Sequence, residues 1–194
     1  MRGWRYLIAI LAVATQISGC SSTSSLVHET LDPVTGVTIL RGTAPVVLYH
    51  DNSGYAAHAR DYVYLGPVEV NRMGSYSYYL WMGIWSTMRY ENPQSEQRDG
   101  FESVILFVDG EPLPLEFAGW TLDSIGVTEP VYVKPVASAA DAYYRVTIDQ
   151  IRLIAEASDI QLRAGTAKPR AYSLWDSQGS AYASLKAFLE QGYE

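Results

Sequence analysis

The chain has 194 residues, 48% of them hydrophobic, which suffices for one sizeable buried core and argues against several domains. Its formal charge is −7, from 14 basic and 21 acidic residues, and only three of the basic ones are lysines (Lys134, Lys168, Lys186). An acidic chain without a basic cluster is a poor partner for nucleic acid or anionic lipid surfaces, and a single cysteine, Cys20, excludes an internal disulfide.

Residues 1–19 have the layout of a secretory signal. Arg2 and Arg5 give a positive end, and Leu7 to Ala14 is an uncharged apolar run. That run is too short to span a bilayer, which needs roughly 20 apolar residues. The four residues that follow Thr15 and Gln16, Ile17-Ser18-Gly19-Cys20, place a branched apolar side chain and two small residues before cysteine. They resemble the lipobox of bacterial lipoproteins, with isoleucine where the family usually has leucine. The resemblance implies that residues 1–19 are removed and that Cys20 carries lipid. The membrane would then be a partner through that anchor. Each buried acyl CH₂ is worth about 0.8 kcal/mol, and two or more chains hold stably. Ser21, where aspartate would signal retention, implies the outer membrane, with the domain facing the periplasm. Residues 20–26 are then the lipidated cysteine and a Ser-rich tether reaching roughly 12 Å. Residues 27–194 are expected to form a single folded domain, and the chain from Cys20 onward keeps 12 basic against 21 acidic residues.

Strand signals dominate from Val27 to about Pro135. Asp32-Pro33-Val34-Thr35-Gly36 reads as a turn ahead of two β-branched runs, Gly36 to Arg41 and Pro45 to Tyr49. Two long apolar runs, Tyr62 to Asn71 and Tyr76 to Arg89, predict an antiparallel hairpin around Arg72 to Ser75. In the second run both alternating faces are apolar at the middle: Leu80, Met82 and Ile84 on one, Tyr79, Trp81 and Trp85 on the other. Such a strand is covered on both sides. Glu91 to Gly100 reads as an exposed polar loop. Ser103 to Val108 enters a hairpin at Asp109-Gly110, and the return strand carries Pro112 and Pro114, which predicts a sheet edge. Ala118 to Glu129 reads as loop, and Val131 to Lys134 as a further strand.

The last third is mixed. Ala142 to Val146 predicts a strand, and Thr147 with Gln150 fits a capping box opening a helix with Ile151, Ile154 and Ala155 on one face. A hairpin around Gly165 to Pro169 follows, then a closing helix from Ser180 to Gln191. The expected fold is α+β: an antiparallel β-sandwich or strongly curved sheet with two C-terminal helices.

Catalytic signatures are sparse. His50, Asp51 and His58, with Asp61 nearby, are the one group with metal-ligand side chains, but their spacing matches no compact metal motif. There is no Gly-x-Ser-x-Gly, and Glu111 and Glu116 fall on opposite faces of a strand. No phosphate loop is present and no cofactor is indicated. What stands out is the aromatic content, 15 tyrosines and 5 tryptophans, with Tyr79, Trp81 and Trp85 as the candidate binding residues. The expectation is a non-catalytic domain that binds an envelope protein or supports envelope assembly. The alternative is a glycan- or peptidoglycan-binding module or hydrolase using the aromatic hairpin, and a metal-dependent enzyme at His50, Asp51 and His58 is the third reading.

Overall fold

The computed structural model describes residues 25–54, 56–88, 92–176 and 178–192, so the expected signal segment 1–19 and Cys20 lie outside the described residues. The two long apolar runs become its longest strands, β4 (Arg60–Arg72) and β5 (Ser75–Ser86), paired antiparallel over twelve residue pairs. Their turn is tighter than the sequence suggests. Arg72 pairs with Ser75, leaving Met73 and Gly74, both left-handed with φ of 51° and 86°. Gly74 takes that conformation freely, and its N–H donates to Asn71 Oδ1 at 2.9 Å.

The other strands are β1 (Val27–Leu31), β2 (Thr38–Gly42), β3 (Val46–Asp51), β6 (Val104–Val108), β7 (Glu111–Gly119), β8 (Ala140–Val146), β9 (Ile160–Ala164) and β10 (Arg170–Leu174). The helices among the described residues are α1 (Pro93–Arg98), α2 (Ile148–Glu156) and α3 (Gly179–Gln191), with a 3-10 turn at Leu122–Ile125. Around the sheet the order is β4-β3-β10-β9-β6-β7-β8-β5, and β5 pairs back onto β4. The fold is therefore a closed eight-stranded antiparallel β-barrel, and the expected sandwich or open curved sheet is incorrect. The decisive contact is β10 against β3, where Ser173 faces Tyr49 across more than a hundred residues of chain. A strand apolar on both faces suits a sandwich or a barrel wall with a layer outside it, and only this distant pairing separates the two.

β4 is long enough to serve two neighbours on one edge. Its first half pairs with β3, and its second half, Val68 to Asn71, pairs with β2. The β1–β2 hairpin is thus carried outside the barrel. The prolines of β7 fit this closed wall for a local reason. β8 reaches only Glu116 to Gly119, so Pro112 and Pro114 sit where β6 alone is paired. The strand lies inside the ladder, with its missing donors at an open stretch. Val131 to Lys134, by contrast, is no strand.

Two cores occupy the two sides of this wall. Inside, Leu48, Val63, Leu65, Leu80, Met82, Leu106, Tyr144 and Leu162 fill the barrel, and all are at most 1% exposed. One end is closed by α2 and α3 through Ile151, Ile154, Leu185 and Phe188. The capping box at the start of α2 forms as its spacing implies: Gln150 N–H donates to Thr147 Oγ1 at 3.2 Å, and Thr147 N–H to Gln150 Oε1 at 2.8 Å. Ser184 of α3 is buried because it staples three segments. Its Oγ donates to Leu26 O at 2.8 Å and accepts from Thr43 N–H at 2.9 Å and Ala44 N–H at 3.3 Å. Leu26, the entry to β1, is therefore held at the helical end.

Outside, a smaller core of Val37, Ile39, Val68, Val70, Tyr79, Trp81, Val131, Tyr132 and Tyr143 lies under the segment 120–139. Asp32, fully buried in the β1–β2 turn, ties that segment down. It accepts from Thr128 N–H and Oγ1–H and from the Val34 and Thr35 amides. Burial pushes its carboxyl up, but these bonds outweigh burial and hold it well below the usual carboxylate range.

Candidate functional site

Two surfaces gather chemistry, and strand parity explains both. On β3 and β4 the residues Tyr49, Asp51, Arg60, Tyr62 and Tyr64 point outward, while Leu48, His50, Asp61 and Val63 point inward or to the barrel rim. β10 and β5 add Trp175, just past the strand end, and Trp85. The result is a half-buried aromatic face on the outer wall. Tyr62 stacks on Trp85 (centroids 4.6 Å apart, planes at 15°), and Trp175 meets Tyr49 edge-on at 5.2 Å and Tyr62 at 5.6 Å. Arg60 spans it, with its guanidinium carbon 5.4 Å from the Tyr49 ring and 5.0 Å from the Trp175 ring, and its Nε 2.7 Å from Asp51 Oδ1. Each such aromatic pair is worth about 0.5–1.5 kcal/mol beyond its buried area, so the rings form a preorganised plate.

Of the three residues singled out in sequence, this face contains Trp85. Tyr79 and Trp81, on the same strand face, lie further along β5 in the outer core, at 5% and 1% exposure. Trp81 stacks on Tyr132 at 4.5 Å, and its indole N–H donates to Asp141 Oδ1 at 3.0 Å. Asp141 also takes Lys134 Nζ at 2.8 Å, which helps hold the covering segment in place. Alternation gave the correct face of β5 for all three residues. The expectation of a strand covered on both sides fits Tyr79 and Trp81, but alternation could not indicate which distant segment does the covering.

The second surface is the barrel mouth opposite the helical end. Phe101 plugs it, fully buried, and its carbonyl accepts from Tyr144 Oη at 2.5 Å. Around the plug lie two adjoining hollows of about 800 and 430 Å³ that share Ser95, Asp99 and Arg170. Asp61, only 3% exposed, accepts from Asn52 Nδ2 at 2.6 Å and lies 3.9 Å from Arg170. Arg170 also donates to the Asp99 carbonyl and covers the Phe101 ring at 5.7 Å. Sequence reading missed Arg170, Arg98 and Trp120. They come from three separate segments, and no local spacing links them.

The histidines and Asp51 do not converge. His50 Nδ1 lies 2.8 Å from Ala171 O, Asp51 faces outward onto Arg60, and His58 is exposed in the turn between β3 and β4. Among the described residues no three His, Cys, Asp or Glu side chains are grouped to hold a metal ion. Glu111 and Glu116 are exposed, and Arg145 lies 3.8 Å from Glu116. No family model matches the chain, and the searches of curated proteins and of solved structures gave no match.

Proposed function

We propose that this chain is a lipid-anchored protein of the bacterial outer membrane, held through Cys20, and that it works without catalysis as a binding scaffold for an envelope protein. The observation that carries the reading is the outer aromatic plate of Tyr49, Tyr62, Trp85 and Trp175 around Arg60. Tyrosine, tryptophan and arginine are the residues that anchor protein interfaces. Their polar tips tolerate water before docking, while their rings supply area afterwards. The plate stands on a rigid wall, so little side-chain entropy remains to be lost on binding. Supporting the anchored arrangement, the first described residues sit against α3, and the mouth lies at the other end of the barrel. A short tether at Leu26 would turn the mouth away from the bilayer.

The test uses the full-length chain in cells, with a photo-crosslinking amino acid at Tyr49 or Trp175, and a control at Ile105 on the opposite wall. The expected result is a discrete protein adduct from the first two positions, absent at Ile105 and lost in Trp85→Ala. Equal labelling of both walls, or none, would overturn the reading. An adduct that shrinks on digestion with a muramidase would instead assign the plate to a glycan, which the Asp51 carboxylate beside the rings also suits. Palmitate labelling that persists in Cys20→Ser would exclude the anchor.

A further inference from the structure

The mouth hollows are polarised in charge, and nothing in the scaffold reading uses them. The larger is lined by three cations, Arg98, Lys168 and Arg170, against two carboxylates, Asp99 and Glu102. The smaller reverses the balance, with Asp61, Glu96 and Asp99 against Arg170 alone. Arg170 stands between them and is already engaged with Asp61 and the Asp99 carbonyl, so it separates the two ends. At the basic end Arg98 lies over the Trp120 ring at 5.0 Å, and its buried Nε has no hydrogen-bond partner. Lys168 is exposed beside it. Glu96, at the acidic end, uses Oε1 to accept from Asn92 N–H at 3.2 Å, which fixes its carboxylate at the rim.

We infer that this groove binds a small zwitterionic ligand of short-peptide size. Its carboxylate would face Arg98 and Lys168, its ammonium would face Glu96 and Asp99, and its apolar middle would cross Trp120 and the Arg170 stem. The volumes fall within the range of small-molecule sites, and barrel mouths are favoured places for them. Charge-assisted hydrogen bonds at both termini reward a ligand that carries both charges and penalise one lacking either, because the bound ligand then covers a protein charge without pairing it. The ligand thus completes an arrangement that the protein leaves open, with the half-buried Arg98 side chain and Lys168 lining the basic end.

The experiment titrates the full lipidated chain, in detergent micelles, with trialanine and with its N-acetylated, C-amidated and doubly capped forms, read by calorimetry. Trialanine is expected to bind saturably, and each single cap to weaken it by about tenfold or more. In Arg98→Ala the cost of amidation should vanish while the cost of acetylation remains. Glu96→Gln should do the reverse. Lys168→Ala, a change at an exposed side chain, gives a second test of the basic end if Arg98→Ala misfolds. Absence of saturable binding, or equal affinity for trialanine and its doubly capped form, would overturn the assignment. Caps that matter equally in wild type and in both variants would also overturn it.

Discussion

Glu69 is a buried carboxyl without a full set of partners. It is 6% exposed, it faces the interior beside the C-terminal end of α3, and its Oε2 has no hydrogen-bond partner. Burial raises its pKa above the ordinary glutamate value, a hydrogen bond with Tyr78 partly opposes this, and the like charge of Glu29 adds to it. The sign of the linkage follows. Below the unfolded-state value of about 4.3 the carboxyl is neutral in both states and costs nothing. As pH rises through the raised folded value, ionisation is harder in the folded chain, and stability falls. Glu69→Gln should therefore raise the melting temperature at pH 7 and flatten its decline between pH 4 and 7. A variant whose melting profile keeps the wild-type slope would show that Glu69 ionises freely in the fold. Asp32 runs the other way, since its depressed value stabilises the fold at neutral pH and the benefit is lost in acid.

At the scale of elements, the segment 120–139 stays down because two strand residues have no side chain. Gly66 lies opposite Trp81, and Gly83 opposite Tyr64, on the outer face of β4 and β5. A Cβ on Gly66 would stand 2.4 Å from the Tyr132 ring, and one on Gly83 2.6 Å from the Trp81 ring. Neither ring can swing away cheaply. Each is stacked on the other, Trp81 is bonded to Asp141, and Tyr132 Oη donates to Pro67 O at 3.0 Å. Gly66→Ala and Gly83→Ala should each cost about 1–3 kcal/mol, measured as a shift of the urea midpoint with unchanged slope. Neutral substitutions would mean that the covering segment floats. The glycines also show where sequence reading stops. Alternation in 76–88, the Thr147 capping box and the Asp109-Gly110 turn, with φ of 49° and 88°, were all legible because each is decided within a few residues. What covers Tyr79 and Trp81 was not, since the cover is built on Tyr132 some fifty residues on. The mouth was hidden for the same reason: Arg98, Trp120 and Arg170 meet only once the barrel closes.

Closure also sets how the whole molecule should come apart. The eight wall strands each have two neighbours, so removing one exposes two edges, and the barrel should open as a unit. β1 has β2 as its single ladder partner among the described residues, and β2 reaches the wall through only four pairs with β4. Besides Ile39 and Leu40, buried in the two cores, the hairpin is pinned at its two ends: Ser184 grips Leu26 and Thr43, and Asp32 grips Thr128. The hairpin is then a separate, weaker unit than the wall. Amide exchange followed by mass spectrometry should find residues 27–42 opening faster than the amides of β4 and β5. Asp32→Ala should speed exchange in 27–42 and around Thr128 while leaving β5 and β8 at their wild-type rates. If instead the whole wall speeds up together, the hairpin and barrel form one cooperative body, and the outer core contributes as much to closure as the inner one.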